Sequence, residues 1–319
     1  METDSGLTSV MLHQLRSEFA SALKDFASSS SVFRVLRTFP LNRHLSSSTP
    51  TPVKTLYVLD SSFNPPSKAH LAIARSAVQS DHRPGREPQR VLFLLATENA
   101  DKAPKPAVFE DRLVMMCLLA QDLWASISSL SPSPAAVDIG VIKKPFFVDK
   151  AKAIDESGVY YCPLSASSAA AATESGLVEQ VHLTGFDTLV RIFDQKYYSA
   201  DQGGLRVLKP FLDRHRLRVT YRVGEEGKYG SLQQQQEFLA RIKRGEREDE
   251  GVMREWADRV EMVSDNDDGS GGETRNVSST LARKAVAEGK WDDLCQYVGD
   301  GVMAWIRELG LYQDRSGSK

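Results

Sequence analysis

The stretch Lys54–His70, KTLYVLDSSFNPPSKAH, constrains this chain more than any other. Leu56-Tyr57-Val58-Leu59 is a short run rich in β-formers, the pattern of a buried strand. Asp60, Ser61 and Ser62 end it with small polar groups. Pro65 and Pro66 then fix φ twice and remove two backbone donors, so neither helix nor strand continues through them. From Ala69 the chain reads AHLAIARSAV, with apolar residues at Leu71, Ile73, Ala74, Ala77 and Val78, suited to a helix laid on a sheet. A strand, a rigid turn and a helix N-terminus carrying His70 make a phosphate-sized pocket of positive potential. The plainer alternative keeps His70 as a capping or core residue.

A second apolar run, Arg90–Ala96, follows the helix, and strand–helix–strand in that order predicts a parallel sheet. The loop at 96–106 leaves that strand's C-terminal end, where open α/β sheets place ligands, and it carries Lys102 and Lys105. A helix is predicted over Phe109–Trp124, with Arg112, Met115 and Met116, then a loop over Ser126–Ala135 and a third strand over Ala136–Lys143. Phe146-Phe147 precede a helix over Val148–Ile154. Such an aromatic pair is a ligand platform or, more commonly, core. Ser157–Ser175 reads as a surface insertion. Glu179–Thr184 is a strand ending in Gly185-Phe186-Asp187, where glycine admits a close approach and a carboxylate suits ribose hydroxyls. Asp187 also suits the N-cap of a helix over Thr188–Phe193.

Arg206–Arg222 alternates basic and apolar residues, and Leu217–Tyr221 reads as a strand with one wet face; a solvated basic strip outweighs an RNA surface, and Arg222 lies nearest the ligand end. A polar helix is expected over Ser231–Arg247 and a last parallel strand over Arg259–Val263. The acidic, glycine-rich loop Ser264–Asn276 lacks EF-hand spacing and gives no calcium site. After it, Ser278 is a plausible N-cap that leaves free amides and hydroxyls in the first turn, with Arg283 one turn on.

The first 52 residues stand apart. Met11, Leu12, Leu15, Phe19, Leu23 and Phe26 recur at helical spacing, and 46–52 is a Ser/Thr/Pro linker. Arginines among serines raise a transit peptide, but Glu2, Asp4, Glu18 and Asp25 argue against one, and a helix packed on the core is preferred. Self-association or partner contact through this helix is a further role open to it. A net charge of −2 and a pI near 6.3 give no global attraction to nucleic acid or anionic membrane. Three scattered cysteines indicate neither disulfides nor zinc, and no apolar run approaches the roughly 20 residues that cross a bilayer. The expected compartment is the cytoplasm, with the nucleus as an alternative.

Ser62-Phe63-Asn64-Pro65 with His70, Gly185-Phe186-Asp187-Thr188-Leu189, and Val277-Ser278-Ser279-Thr280-Leu281-Ala282-Arg283 resemble, in order, three signatures of the nucleotidyltransferase superfamily. The small hydroxyl residue Ser67, the R-x-x-M helix and a closing V-x-x-W-I-x-x-x-x-L-Y at Val302–Tyr312 are similar to the nicotinamide mononucleotide adenylyltransferase family. Ser61 departs from the pattern, which often has glycine there, and Ser67-Lys68-Ala69-His70 keeps only the last histidine of H-x-G-H.

The resemblance implies a Rossmann-like doubly wound parallel sheet over 53–312, preceded by a helical extension over 1–52 and followed by a tail at 313–319. It also implies transfer of AMP from ATP to nicotinamide or nicotinate mononucleotide, with His70 and Arg283 catalytic. Ser62, Phe63, Ser67, His70, Gly185, Asp187, Ser278, Ser279, Thr280 and Arg283 would bind ATP. Asn64, Lys102, Phe146 and Phe147 would face the mononucleotide, and Mg2+ would travel on the ATP phosphates. Another adenylyl- or cytidylyltransferase, such as one acting on phosphopantetheine, or a nucleotide-binding regulator with little turnover, remain the rival functions.

Overall fold

The computed structural model describes residues 7–40, 51–80, 87–98, 107–129, 134–162, 178–198, 203–222, 229–264 and 277–313. Lys102, Lys105, most of the acidic loop, most of the Ser/Ala-rich insertion and residues 314–319 of the C-terminal tail lie outside them. The strands are β1 (Phe33–Phe39), β2 (Thr51–Pro52), β3 (Thr55–Asp60), β4 (Gln89–Ala96), β5 (Ala136–Ile142), β6 (Tyr160–Tyr161), β7 (Glu179–Gly185), β8 (Arg216–Thr220) and β9 (Val260–Val263). Seven form one sheet in the order β1-β5-β4-β3-β7-β8-β9, while β2 and β6 pair separately. All neighbours in the large sheet are parallel except β1, which runs antiparallel to β5.

Helices cover both faces, which is why β3 and β4 read as unbroken apolar runs rather than alternating ones. α1 (Ser9–Ser28), α2 (Lys68–Ser80), α3 (Phe109–Ser128) and the C-terminal helices Trp291–Tyr297 and Asp300–Leu309 bury Tyr57, Leu59, Val91, Phe93, Val181 and Leu183 on one side. On the other, α4 (Phe147–Glu156) covers Leu56, Val58, Leu92 and Leu94, and α5 (Phe186–Ile192) joins the cluster around Leu217 and Val219.

The chain departs β3 in two directions, through β4 and β5 on one side and later through β7, β8 and β9 on the other. The reversal therefore falls between β3 and β7, where a doubly wound sheet opens its ligand crevice. Register confirms the opening. The β3–β7 ladder stops at Val58 and His182, although β3 runs on to Asp60 and β7 to Gly185.

Three expectations are corrected. The first 52 residues hold two strands as well as the expected core-packed helix: β1 closes the sheet's edge against β5, β2 pairs with β6 at the end of the expected linker, and Leu12, Leu15, Phe19 and Phe26 of α1 are buried in the main core. β8 has no wet face, because it lies between β7 and β9 with packing on both sides. Arg218 in its middle is 5% exposed and donates to Glu261 (2.6 Å) and Ser76 (2.8 Å). The insertion begins with structure: Tyr160 is buried in β6 and donates to Asp138 at 2.8 Å. Helix ends also shift, α3 extending to Ser128 and α5 beginning at Phe186.

Candidate active site

The turn after β3 is held by groups from far along the chain. Its prolines donate nothing, and its carbonyls face elements that supply the missing donors. Arg112 of α3 donates from both Nε (2.7 Å) and Nη2 to the Ser62 carbonyl. Arg283 Nη1 donates to the Asn64 carbonyl at 2.6 Å, and Ser279 Oγ to the Pro65 carbonyl at 2.7 Å. The Asn64 side chain accepts from the Tyr312 hydroxyl (2.8 Å) and from the Ala107 amide (3.3 Å). Phe63 sits at φ 45°, an unfavourable region for a bulky residue, with its fully buried ring against Phe93 and His70. Burial of the ring leaves Phe63 only its backbone to offer a nucleotide.

His70 lies in the first turn of α2, and both ring nitrogens are engaged. The Ser67 amide donates to Nδ1 at 3.0 Å, with Ser67 Oγ 2.8 Å from the same atom. Nε2 is 2.9 Å from Ser61 Oγ. Because the amide can only donate, Nδ1 must present its lone pair, and the proton of the neutral ring sits on Nε2. Burial, and then the positive charge of Arg222, push the imidazole pKa down to about 4, so the ring is neutral at pH 7.

The serine-rich stretch near the C-terminus opens the helix Ser279–Ala287. Ser278 is its N-cap and accepts from the Leu281 amide at 3.2 Å, the role expected of it. Arg283, one turn in, also donates to Thr280 Oγ1 at 3.2 Å. Amide dipoles, two hydroxyls and a guanidinium thus gather beside the His70 turn, at the positive end of a nine-residue helix.

Across the crevice, Gly185 ends β7 and is itself the N-cap of α5, so Asp187 lies inside the first turn and is not the cap. Its carboxylate accepts from Arg222 Nε at 2.8 Å. A Cβ on Gly185 would lie 2.6 Å from Asp187 Oδ1 and 2.8 Å from Arg222 Nη2, so a larger residue here would displace this ion pair. Gln235, fully buried, fixes the Arg222 backbone by accepting from its amide (3.0 Å) and donating to its carbonyl (2.7 Å).

The two aromatic candidates separate. Phe147 is partly buried, with its ring 4.6 Å from His182 and 4.8 Å from Phe211, so it packs against the cluster around Leu217 and Val219. Phe146 is 44% exposed just before α4 and is available to a ligand. Ser61, Tyr312 and the Asp60–Lys150 ion pair beside the turn were not among the expected site residues. Lys150 carried no signal, since a lysine on a helix face is ordinarily solvated; its burial follows only from the packing of α4 over β3.

The groups around the crevice are mainly donors and cations, and no cluster of three metal-binding side chains occurs among the described residues. The donor set suits anionic phosphate oxygens.

No family model matches the chain. A protein of Schizosaccharomyces pombe, provisionally named a nicotinamide mononucleotide adenylyltransferase, is 29% identical over 262 residues, spanning 82% of this chain and 88% of its own. Among solved structures, the Plasmodium falciparum nicotinic acid mononucleotide adenylyltransferase complexed with APC shares 12% identity at a TM-score of 0.45, covering 81% of this chain and 97% of its own. The same protein complexed with NaAD gives 12% and 0.41 over the same shares.

A sheet reversed between β3 and β7, with a histidine turn and a serine–arginine helix cap meeting beside the reversal, defines a nucleotidyltransferase-type α/β enzyme. Within that class the chain is similar, over 82% of its length, to a protein named for adenylyl transfer to nicotinamide mononucleotide.

Proposed function

We propose that the chain transfers AMP from ATP to nicotinamide or nicotinate mononucleotide, yielding NAD or its deamido form and pyrophosphate. The carrying observation is the union of the two distant phosphate-binding fragments through the Arg283–Asn64 and Ser279–Pro65 bonds. In this reading ATP enters as its magnesium complex, the cation belonging to the substrate. The mononucleotide phosphate attacks the α-phosphorus in line, a bond to pyrophosphate breaks, and no protein nucleophile intervenes. Positioning and charge stabilisation then supply the catalysis.

His70, neutral and protonated on Nε2, stands at the α-phosphate side of the turn. Ser279, Thr280, Arg283 and the amides of their helix hold the departing phosphates. Asp187 and the main chain at Gly185 face the ribose. Asn64, anchored by Tyr312, and exposed Phe146 stand towards the mononucleotide.

The test is the purified full-length protein with ATP, magnesium and either mononucleotide, following the dinucleotide and pyrophosphate together. Formation of both in equal amounts is the expected result. Turnover with phosphopantetheine and with neither mononucleotide would move the chain to another branch of the class. One observation favours a nucleotide-binding protein with little turnover: Ser61 occupies the very nitrogen of His70 that would reach a phosphate. ATP binding with no dinucleotide formed would establish that reading.

A further inference from the structure

Resting on the adenylyltransferase reading, we infer that Ser61 is itself a catalytic residue: its hydroxyl, polarised by His70, is the group that donates to the α-phosphoryl oxygen. The polarity of the hydrogen bonds leads there. The Ser67 amide donates to Nδ1 and can do nothing else, which places the ring proton on Nε2. Nε2–H then donates to Ser61 Oγ across 2.9 Å. A hydroxyl that accepts retains its own proton to give, and this proton is committed to neither nitrogen of His70. The series Ser67 N–H to Nδ1, Nε2–H to Ser61 Oγ, Ser61 O–H to phosphoryl oxygen runs in one direction, each bond strengthening the next.

Position supports it. Ser61 is the first residue beyond β3, with its amide bonded to the Leu94 carbonyl at 3.2 Å, so its side chain is carried by the sheet rather than by the loop. It stands half-buried on the β3 side of the crevice, where β3 and β7 part. Glycine in this position would let the imidazole reach a phosphate unaided; here a hydroxyl lies in between.

The same geometry excludes a Ser61 nucleophile. A general base must offer the hydroxyl a lone pair, and Nε2 offers a proton. In the proposed step the mononucleotide oxygen–phosphorus bond forms and the bond from phosphorus to the bridging oxygen of pyrophosphate breaks. Pyrophosphate leaves with the electron pair. Ser61 keeps its proton throughout and lowers the barrier only by stabilising charge on the α-phosphoryl oxygen.

The experiment compares full-length wild type with Ser61→Ala and Ser61→Thr, using magnesium-ATP, nicotinamide mononucleotide and pyrophosphate release. S61A is expected to lose on the order of 10²-fold in kcat, with the KM for ATP within about twofold of wild type, and S61T to regain most of the loss. An S61A enzyme with wild-type or higher kcat would overturn the assignment, as would an AMP adduct on Ser61 found by mass spectrometry. Nitrogen NMR of labelled histidine separates this outcome from failure of the parent reading, since it needs no turnover. The expected His70 signals are those of the Nε2–H tautomer, with the Nε2 resonance shifted in S61A. An Nδ1–H tautomer overturns the relay even in a protein that makes dinucleotide.

Discussion

Arg283 Nη1 donates to the main-chain carbonyl of Asn64 at 2.6 Å, tying together residues 219 positions apart. The same guanidinium donates to Thr280 in its own helix, so one side chain joins the turn after β3 to the helix Ser279–Ala287 and is positioned by both.

Arg283→Ala should therefore lower kcat/KM for ATP by about 10²-fold or more, since a lost charge-stabilising donor and a loosened turn act together. The cost in stability is smaller, about 1 kcal/mol, because the side chain is only half-buried. Arg283→Lys should recover stability better than activity, as an ammonium cannot serve two partners with the geometry of a planar fork. Steady-state kinetics beside urea melts would separate the effects. Equal recovery of both by lysine would contradict this account.

His70 gives a pH prediction with a definite sign. In the fold its pKa lies near 4, lowered by burial and by Arg222, whereas an unfolded histidine titrates near 6.5. Between these values the unfolded chain binds the extra proton, so this residue's contribution makes stability fall as pH drops through the window, and leaves it flat above. NMR titration of the His70 ring, assigned against His70→Gln, should show a neutral imidazole down to pH 5. Midpoint titration near 6.5 would refute the enclosed, Ser67-bound ring. Activity profiles are a poorer probe, because the mononucleotide phosphate itself titrates near 6.

Gly185→Ala tests the opposite wall. The new methyl would fall within 2.6 Å of the Asp187 carboxylate, so the Asp187–Arg222 pair must shift or break. We expect stability to change by less than about 1 kcal/mol, since the two side-chain ends can swing aside, and a KM for ATP raised about tenfold, with kcat changed less. Asp187→Ala should raise that KM similarly while sparing the backbone. A G185A enzyme with unaltered KM would remove Gly185 and Asp187 from the ribose side of the site.

What the sequence made legible was whatever repeats a local rule. The apolar runs of β3 and β4, the two prolines, and the Ser278 cap each declare their conformation within a few residues, and the three signatures lie where the sheet reversal brings ligands. Long-range pairing was not legible. Arg218 looks like part of a wet strip until β9 supplies Glu261 and α2 supplies Ser76. Phe147 looks like a platform until His182 and Phe211 close around it. Ser61 reads as a mere substitution until the Ser67 amide sets the tautomer of the ring it touches. β1 escaped for a local reason: FRVLRTF carries a register shift between Val35 and Arg37, which breaks the two-residue alternation.

The first 52 residues give the last prediction. As a detachable extension they could be deleted with the enzyme left standing, but the packing argues otherwise. Phe26 is 1% exposed and Phe19 and Leu15 are 3%, all within the core that also holds α3 and the C-terminal helices. Arg16 of α1 further pairs with the buried Asp111 of α3. Each such apolar side chain contributes roughly 1.5–3 kcal/mol on burial, so losing three approaches the whole stability of an ordinary domain. Deletion also strips β1 from β5 and leaves Ala136–Ile142 as an open, apolar edge. Removing 1–52 should thus yield aggregated protein, while Phe26→Ala alone should cost about 3–5 kcal/mol in a chemical melt with kcat nearly unchanged, since Phe26 touches neither wall of the crevice. A soluble, monomeric and active truncation would show that α1 and β1 are accessory to the fold.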